Sequence, residues 1–267
     1  MSTPMSTPMS TDVEPGEGSL VCLVTGAGKG IGRSTARALS ERGHRVALAS
    51  RNADELRGVA SWLPGPTLVV PTDVTDPEQV EAMFAAVEKA WGPVDVLVAN
   101  AGAAAAASVV DTTDETWLRL VDLNLTAPFR CIRRALPSMT ERGFGRVVVV
   151  ASVASKRGEA LISAYTASKH GVLGLVRSAS LEVARTGVTV NAVCPGYVNT
   201  PMTEQSIENI AARTGKSTEE AHDLLARRQP NHRLVEPHEV AETILLCVEN
   251  GAINGQGINI DGGAIQS

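Results

Sequence analysis

Ser19-Leu20-Val21-Cys22-Leu23-Val24-Thr25-Gly26-Ala27-Gly28-Lys29-Gly30-Ile31-Gly32 is the stretch that decides the fold. Its first half is an apolar run that predicts a short buried strand ending at Thr25, and its second half is a glycine turn. The residues that follow predict a helix, with Ile31, Ala36, Ala38 and Leu39 as its apolar positions. Strand, glycine turn and helix together form the phosphate-binding arrangement of dinucleotide folds. The glycines let the backbone approach a pyrophosphate, and the helix N-terminus offers free N–H groups and a partial positive charge. The register is not G-x-G-x-x-G, because Ile31 or Arg33 stands where the third glycine would be. What fits is Thr-Gly-x-x-x-Gly-x-Gly, with Gly26, Gly30 and Gly32 as its glycines and Gly28 inside the turn.

Outward from this unit, strand-like runs recur at 20–25, 45–50, 67–71, 94–99, 146–151, 188–193 and 257–260. Helical patterns lie between them at 31–42, 53–62, 77–91, 114–134, 164–186 and 237–249. Such alternation predicts an α/β fold, a doubly wound (Rossmann) parallel sheet of seven strands with helices on both faces, in one domain over 19–267. Residues 1–18, rich in Ser, Thr, Pro and Gly, predict a disordered tail. Residues 201–236 break the alternation and carry many charges, among them Glu204, Glu208, Arg213, Lys216, Glu219, Glu220, Arg227 and Arg228.

A second informative stretch runs from Val147 to Lys169. Val147-Val148-Val149-Val150 reads as a buried parallel strand, and Ser152 follows its carboxyl end, where open α/β sheets bind ligands. Tyr165-x-x-x-Lys169 lies on a predicted helix, and residues four apart share one helical face. A tyrosine has a pKa near 10, so lowering it by roughly three units would take about 4 kcal/mol of phenolate stabilisation. A lysine beside the phenol, with a positively charged nicotinamide nearby, is one source of it. Each part alone has a plain structural explanation: a serine can end a strand, and Tyr and Lys can form a surface pair. Downstream of a dinucleotide turn, the three together point to a site that exchanges a proton with a carbonyl or carbinol oxygen.

The second strand, Val46-Ala47-Leu48-Ala49, ends in Ser50-Arg51-Asn52. NAD-preferring folds place an acid near this point, where it binds the adenosine ribose hydroxyls and opposes a 2′-phosphate. Ser50 occupies the position here, with Arg51 next to it and Lys29 in the glycine turn. The expected cofactor is therefore NADPH/NADP+. The plain alternative makes Arg51 and Lys29 solvated charges that touch nothing.

Composition narrows the classes further. The 4 cysteines lack any metal-ligand spacing, and the 5 histidines form no H-x-x-x-H pair, so no catalytic metal is expected. A net charge of −5 argues against a nucleic-acid partner. No stretch approaches the ~18 apolar residues of a membrane span, and the N-terminus has no apolar signal core, which predicts a cytoplasmic protein with no membrane partner.

With these motifs in place, the chain resembles the short-chain dehydrogenase/reductase superfamily, from about Leu20 to Gly263. The resemblance rests on the glycine motif at 25–32, Asp73-Val74, Ala99-Asn100-Ala101-Gly102, Asn124, Ser152, Tyr165-x-x-x-Lys169 and Pro195-Gly196-Tyr197-Val198-Asn199-Thr200. One departure is Ala99, where the family usually has a first asparagine. The resemblance implies the strand order and a catalytic set of Asn124, Ser152, Tyr165 and Lys169, with Asn124 anchoring a water that relays protons to Lys169. It also implies cofactor contacts from Gly26, Gly28, Lys29, Gly30, Ile31, Gly32, Ser50, Arg51, Asn52, Asp73, Val74, Asn100, Ala101, Gly102, Tyr165, Lys169, Pro195, Gly196, Val198 and Thr200.

Residues 201–236 would form a helical lid, and Ala103–Ala107 either a small-residue pocket wall or plain packing. The stretch 184–196 looks similar to bacterial ketoreductases of 3-oxoacyl and polyketide metabolism. Their carbonyl substrates ride on acyl carrier protein or coenzyme A, whose phosphates Arg213, Lys216, Arg227, Arg228 and Arg233 could meet. A homotetramer is implied, with spare apolar surface on the helix carrying Val172, Leu173, Leu175, Val176, Ala179 and Leu181. Two other readings stay open: an NAD-linked 3-hydroxyacyl or hydroxybutyrate dehydrogenase, and a non-catalytic dinucleotide-sensing regulator. Retention of all four catalytic residues argues against the regulator.

Overall fold

A computed structural model describes residues 18–266, so all of the expected tail except Gly18 lies outside the described residues. Seven strands form one parallel sheet: β1 (Val21–Thr25), β2 (Arg45–Ser50), β3 (Thr67–Pro71), β4 (Val96–Ala99), β5 (Gly145–Val150), β6 (Val188–Pro195) and β7 (Gly257–Ile260). Their order is β3-β2-β1-β4-β5-β6-β7, and every pairing is parallel. The chain leaves β1 towards β2 on one side and later returns to β4 on the other. The carboxyl ends of β1 and β4 therefore bound a crevice at the point where the winding reverses, the usual ligand site of such sheets.

Because side chains alternate along a strand, the sheet supports two cores. Leu23, Ala47, Leu97, Val149 and Val190 face one way. They pack against α3 (Pro77–Trp91), α5 (Ala127–Arg142) and α6 (Ser163–Glu182) through Phe84, Ile132 and Val176. Val24, Leu48, Val98 and Val148 face the other way, onto α1 (Gly30–Glu41), α2 (Ala53–Ala60) and α9 (Pro237–Glu249). Strands buried on both faces read as unbroken valine-rich runs, which is why Val147–Val150 carries no polar alternation.

The structure refines three sequence expectations. First, the helix expected over 114–134 is α4 (Asp114–Val121), a π-helical turn over Asp122–Thr126, and α5, which continues to Arg142. Pro137 lies inside α5 and disfavours helix in the sequence pattern; the helix ends only where Gly143 takes φ +71°. Second, the polar stretch 201–236, expected to be helical, divides into α7 (Pro201–Thr214) and α8 (Thr218–Ala226). These two share a small apolar cluster of their own, Ile207, Ala221, Leu225, Ala226 and Leu234. Ser217 and Glu220 start α8 with a reciprocal capping box. Third, Val172, Leu173, Val176 and Ala179 of α6 are core residues, and only Leu181 stands clearly exposed. No helix among the described residues is long and apolar enough to cross a membrane.

Candidate active site

The glycine turn is held from beneath by hydrogen bonds that only the folded sheet supplies. The Thr25 hydroxyl accepts the backbone N–H of Asn100 at 3.0 Å and of Ala101 at 3.1 Å. The Asn100 side chain donates to Thr25 O at 2.9 Å and Gly26 O at 3.1 Å. Asn100 and Ala101 thus couple the β1 and β4 ends, and the Asn100 amide is committed to that coupling. Thr25 opens the glycine motif, and the role of its hydroxyl in joining the two strand ends is visible only in the fold.

The glycines are required by the geometry. Gly26 has φ +65°, and a Cβ there would lie 2.7 Å from Asn100 Nδ2. At Gly32 a Cβ would lie 2.2 Å from Gly26 O, so the third glycine closes the turn on itself. Helix α1 begins at Gly30 with no side chain capping it, so its first N–H groups face the crevice free for an anion. The Ser50 hydroxyl, buried at the end of β2, has no hydrogen-bond partner among the described residues. An uncapped helix end, a cradle that a Cβ would fill and an orphaned hydroxyl fit the phosphates and ribose of a dinucleotide.

The other predicted cofactor residues divide by what already holds them. Asn52 caps α2, its Oδ1 accepting from Asp54 N at 3.0 Å and Glu55 N at 3.2 Å. Asp73 accepts from Thr75 N and Oγ1 at 3.0 and 2.7 Å, and these bonds, with a contribution from Arg51, hold its carboxyl below the usual range. Val74 is buried in the core. Lys29 and Arg51 form no salt bridge among the described residues.

The proton-handling residues meet on the far side of the same crevice. One cleft is lined by Ser152, Tyr165 and Lys169 together with Ile31, Asn100, Gly102, Ala103, Pro195, Gly196, Val198 and Thr200. Val150 and Ala151 line it as well, without having been singled out as site residues, together with Met202 and Thr203 from the expected lid. Of Ala103–Ala107 only Ala103 reaches the cleft; Ala107 N donates to Leu161 O at 2.7 Å. Leu161 has φ +69°, a costly conformation for this residue type, four positions before Tyr165. Ser152 opens a short 3₁₀ turn over Val153–Ser155 and accepts from Ala154 N at 3.1 Å, so the strand-ending and functional readings of Ser152 both hold geometrically.

Burial is the largest influence on Tyr165 and raises its pKa, while a hydrogen bond with the Ser152 side chain pulls the other way. The Lys169 ammonium is buried, lies 5.7 Å from the centre of the Tyr165 ring and donates to Val150 O at 2.8 Å. Burial pushes Lys169 down to about 8. The expected depression of Tyr165 by Lys169 is thus not a property of the chain alone: the ammonium points to a carbonyl, which offsets only part of its desolvation.

Asn124 sits fully buried in the π turn, where a helix-interior asparagine finds partners outside the helix. It accepts from Ala103 N at 3.0 Å and donates to Ala103 O at 2.9 Å and Ser168 Oγ at 3.3 Å. Its amide ties the loop after β4 to the helix that carries Tyr165 and Lys169.

Two further groups join α7 and α8 to the cleft. Gln229, almost fully buried, accepts from Tyr197 N at 3.1 Å and donates to Tyr197 O at 3.3 Å and to Arg233 O, clamping the loop after β6. Tyr197 Oη donates to Glu159 Oε1 at 2.7 Å, and Arg228 binds both of them. Burial and then Glu159 push the Tyr197 phenol up to about 12. Arg233 pairs with Glu239 through two bonds of 2.6 Å. Arg228 and Arg233 are therefore engaged internally, whereas Arg213, Lys216 and Arg227 are exposed without a salt bridge among the described residues.

Comparison with known proteins agrees with this geometry. The family model described as short chain dehydrogenase matches residues 20–211. A protein of Streptomyces coelicolor whose name contains "ketoacyl reductase" is 43% identical over 256 residues, covering 92% of this chain and 97% of that protein. The D-beta-hydroxybutyrate dehydrogenase of Rhizobium meliloti is 36% identical, covering 90% and 96%. The crystal structure of a point variant of actinorhodin polyketide ketoreductase with NADPH is 41% identical, with TM-score 0.88, covering 94% of this chain and 99% of that one. The chain belongs to the short-chain dehydrogenase family and is an oxidoreductase acting on CH–OH and carbonyl groups.

Proposed function

We propose that the chain reduces the ketone of a 3-oxoacyl or polyketide thioester to a secondary alcohol, using NADPH. The observation that carries this reading is the meeting of Ser152, Tyr165 and buried Lys169 on one cleft that reaches Ile31 of the glycine turn. The bound dinucleotide supplies the hydride. Tyr165 gives its proton to the carbonyl oxygen as that oxygen gains charge, and Ser152 donates a hydrogen bond to the same oxygen. Burial that raises the Tyr165 pKa keeps the proton on the phenol at neutral pH, the state that reduction needs. Lys169 holds the nicotinamide ribose, and its charge stabilises the phenolate left behind. Asn124 positions both sides of the cleft. Helices α7 and α8 act as the lid, fastened by Gln229 and by the Glu159–Tyr197–Arg228 group.

The carrier would be met by Arg213, Lys216 and Arg227, since Arg228 and Arg233 are committed elsewhere. The expected result is that a 3-oxoacyl thioester outperforms the matching free ketone by at least about tenfold in kcat/KM, a difference of about 1.4 kcal/mol. Equal values in a spectrophotometric assay would remove the carrier from the proposal. The reading also expects at least about tenfold higher kcat/KM with NADPH than NADH, because Lys29 and Arg51 can each make a charge-assisted contact of about 1.5–3 kcal/mol to a 2′-phosphate. An enzyme that favours NADH and oxidises 3-hydroxyacyl substrates would instead match the second reading, which the hydroxybutyrate dehydrogenase relative supports. A homotetramer remains part of the proposal. Its apolar surface would come from exposed Trp117, Leu118, Phe129 and Leu181, not from the buried face of α6.

A further inference from the structure

We infer that Glu55 is the carboxylate that limits how strongly the adenosine end of the site favours a 2′-phosphate over a free ribose. The inference rests on the dinucleotide reading above and deepens it. The sequence places no acid at the end of β2, where Ser50 stands, but the fold brings one there from α2. The Asn52 cap fixes the first turn of α2 against the strand end, taking the N–H of Glu55 itself at 3.2 Å. From that anchored position the Glu55 side chain folds back over the glycine turn. A Cβ on Gly28 would lie 2.8 Å from Glu55 Oε2, 3.1 Å from Glu55 Cβ and 3.5 Å from Ser50 Oγ. Gly28, the Glu55 carboxylate and the orphaned Ser50 hydroxyl therefore form one wall.

Neighbouring charges do not cancel this carboxylate. Asp54, beside it, pairs with Arg57 at 2.6 Å, while Glu55 has no salt bridge among the described residues. An acid at this place accepts hydrogen bonds from ribose hydroxyls and opposes a 2′-phosphate. Lys29 and Arg51 attract that phosphate, and Glu55 sets a ceiling on their effect. The side chain is exposed, so its field is screened by water and salt, and the effect is expected to be near tenfold rather than a thousandfold.

Calorimetric titration with 2′,5′-ADP and 5′-AMP tests this directly, because the two probes differ only in the 2′-phosphate and involve no turnover. Glu55→Gln keeps the side-chain size and removes the charge. It should tighten 2′,5′-ADP by about tenfold and leave 5′-AMP unchanged or up to about threefold weaker, with the gain shrinking as salt is raised. Asp54→Asn, one residue away and directed at Arg57, should leave the ratio of the two affinities within about twofold. If both probes bind but Glu55→Gln leaves their ratio unchanged, the role of Glu55 is overturned and the dinucleotide reading stands. If Asp54→Asn shifts the ratio as much as Glu55→Gln does, the effect is general electrostatics and the assignment to Glu55 is overturned. If wild-type protein binds neither probe nor NADPH, the dinucleotide reading fails, and this inference fails with it.

Discussion

Tyr165→Phe is expected to lower kcat/KM for ketone reduction by at least a hundredfold while NADPH affinity stays within about threefold. The ring remains, so packing of α6 against the loop carrying Ser152 is kept. What disappears is the phenol hydroxyl placed in the cleft with Ser152. General acid catalysis by a positioned side chain contributes about 10²–10⁴ in rate. The direction of the Tyr165 pKa sharpens the expectation: burial holds the phenol above its ordinary value, so the free chain is loaded for reduction. Alcohol oxidation needs the phenolate and should therefore gain more from rising pH than reduction does. The measurement is steady-state kinetics in both directions, with dinucleotide binding followed by fluorescence. A variant that retained more than about a hundredth of wild-type kcat/KM would exclude Tyr165 as the proton donor.

The parallel sheet and its alternation with helices were legible because each strand is a short apolar run bounded by turn residues, and each helix between them has its own period; the strand order came from the family resemblance alone. The glycine turn and the Ser152, Tyr165 and Lys169 cluster were legible for the same reason, since their meaning lies in local spacing. What was not legible depends on distant partners. A π turn inside an otherwise periodic helix leaves the pattern almost unchanged, so the break at Asp122–Thr126 was hidden, and with it the outward hydrogen bonds of Asn124. Gln229 reads as a surface residue until the loop after β6 folds against it. Arg228 and Arg233 read as free cations until Glu159 and Glu239 reach them. Glu55 is hidden in the sequence because it lies beyond the end of β2, and the capped helix that follows brings it back to the same place. One simple signal was available: Asn52 followed by Asp54 and Glu55 is an N-cap pattern, and it fixes where the first helical turn points.

Lys169→Met is expected to abolish turnover without the fall in Tm that normally accompanies loss of a buried residue. The ammonium is buried and has one protein acceptor in view, Val150 O at 2.8 Å. Its pKa of about 8, against an ordinary 10.5, means that burial disfavours the charged form by about 3 kcal/mol. Methionine is similarly long and flexible and carries no desolvation cost. Against that gain stands the Val150 carbonyl left without this donor, which costs about 1–3 kcal/mol. The two nearly cancel, so Tm should stay within a few degrees of wild type or rise at neutral pH.

The pH dependence separates this account from simple tolerance of the substitution. Below pH 8 the folded chain carries the full penalty of the buried charge. Between about 8 and 10.5 the unfolded chain binds more protons than the folded one, so the wild-type protein gains stability from this group as pH rises. Methionine cannot titrate, so the Tm of Lys169→Met relative to wild type should be highest near pH 7 and decline towards pH 10. Activity should fall at least a hundredfold near pH 7, where the proposed charge beside the Tyr165 phenol and the proposed ribose contact are both lost, each charge-assisted contact being worth about 1.5–3 kcal/mol. Differential scanning fluorimetry across that range, beside NADPH turnover, reads both outcomes. A variant that melts well below wild type at pH 7, with a gap that does not change with pH, would make Lys169 a packing residue and not a buried charge kept for chemistry.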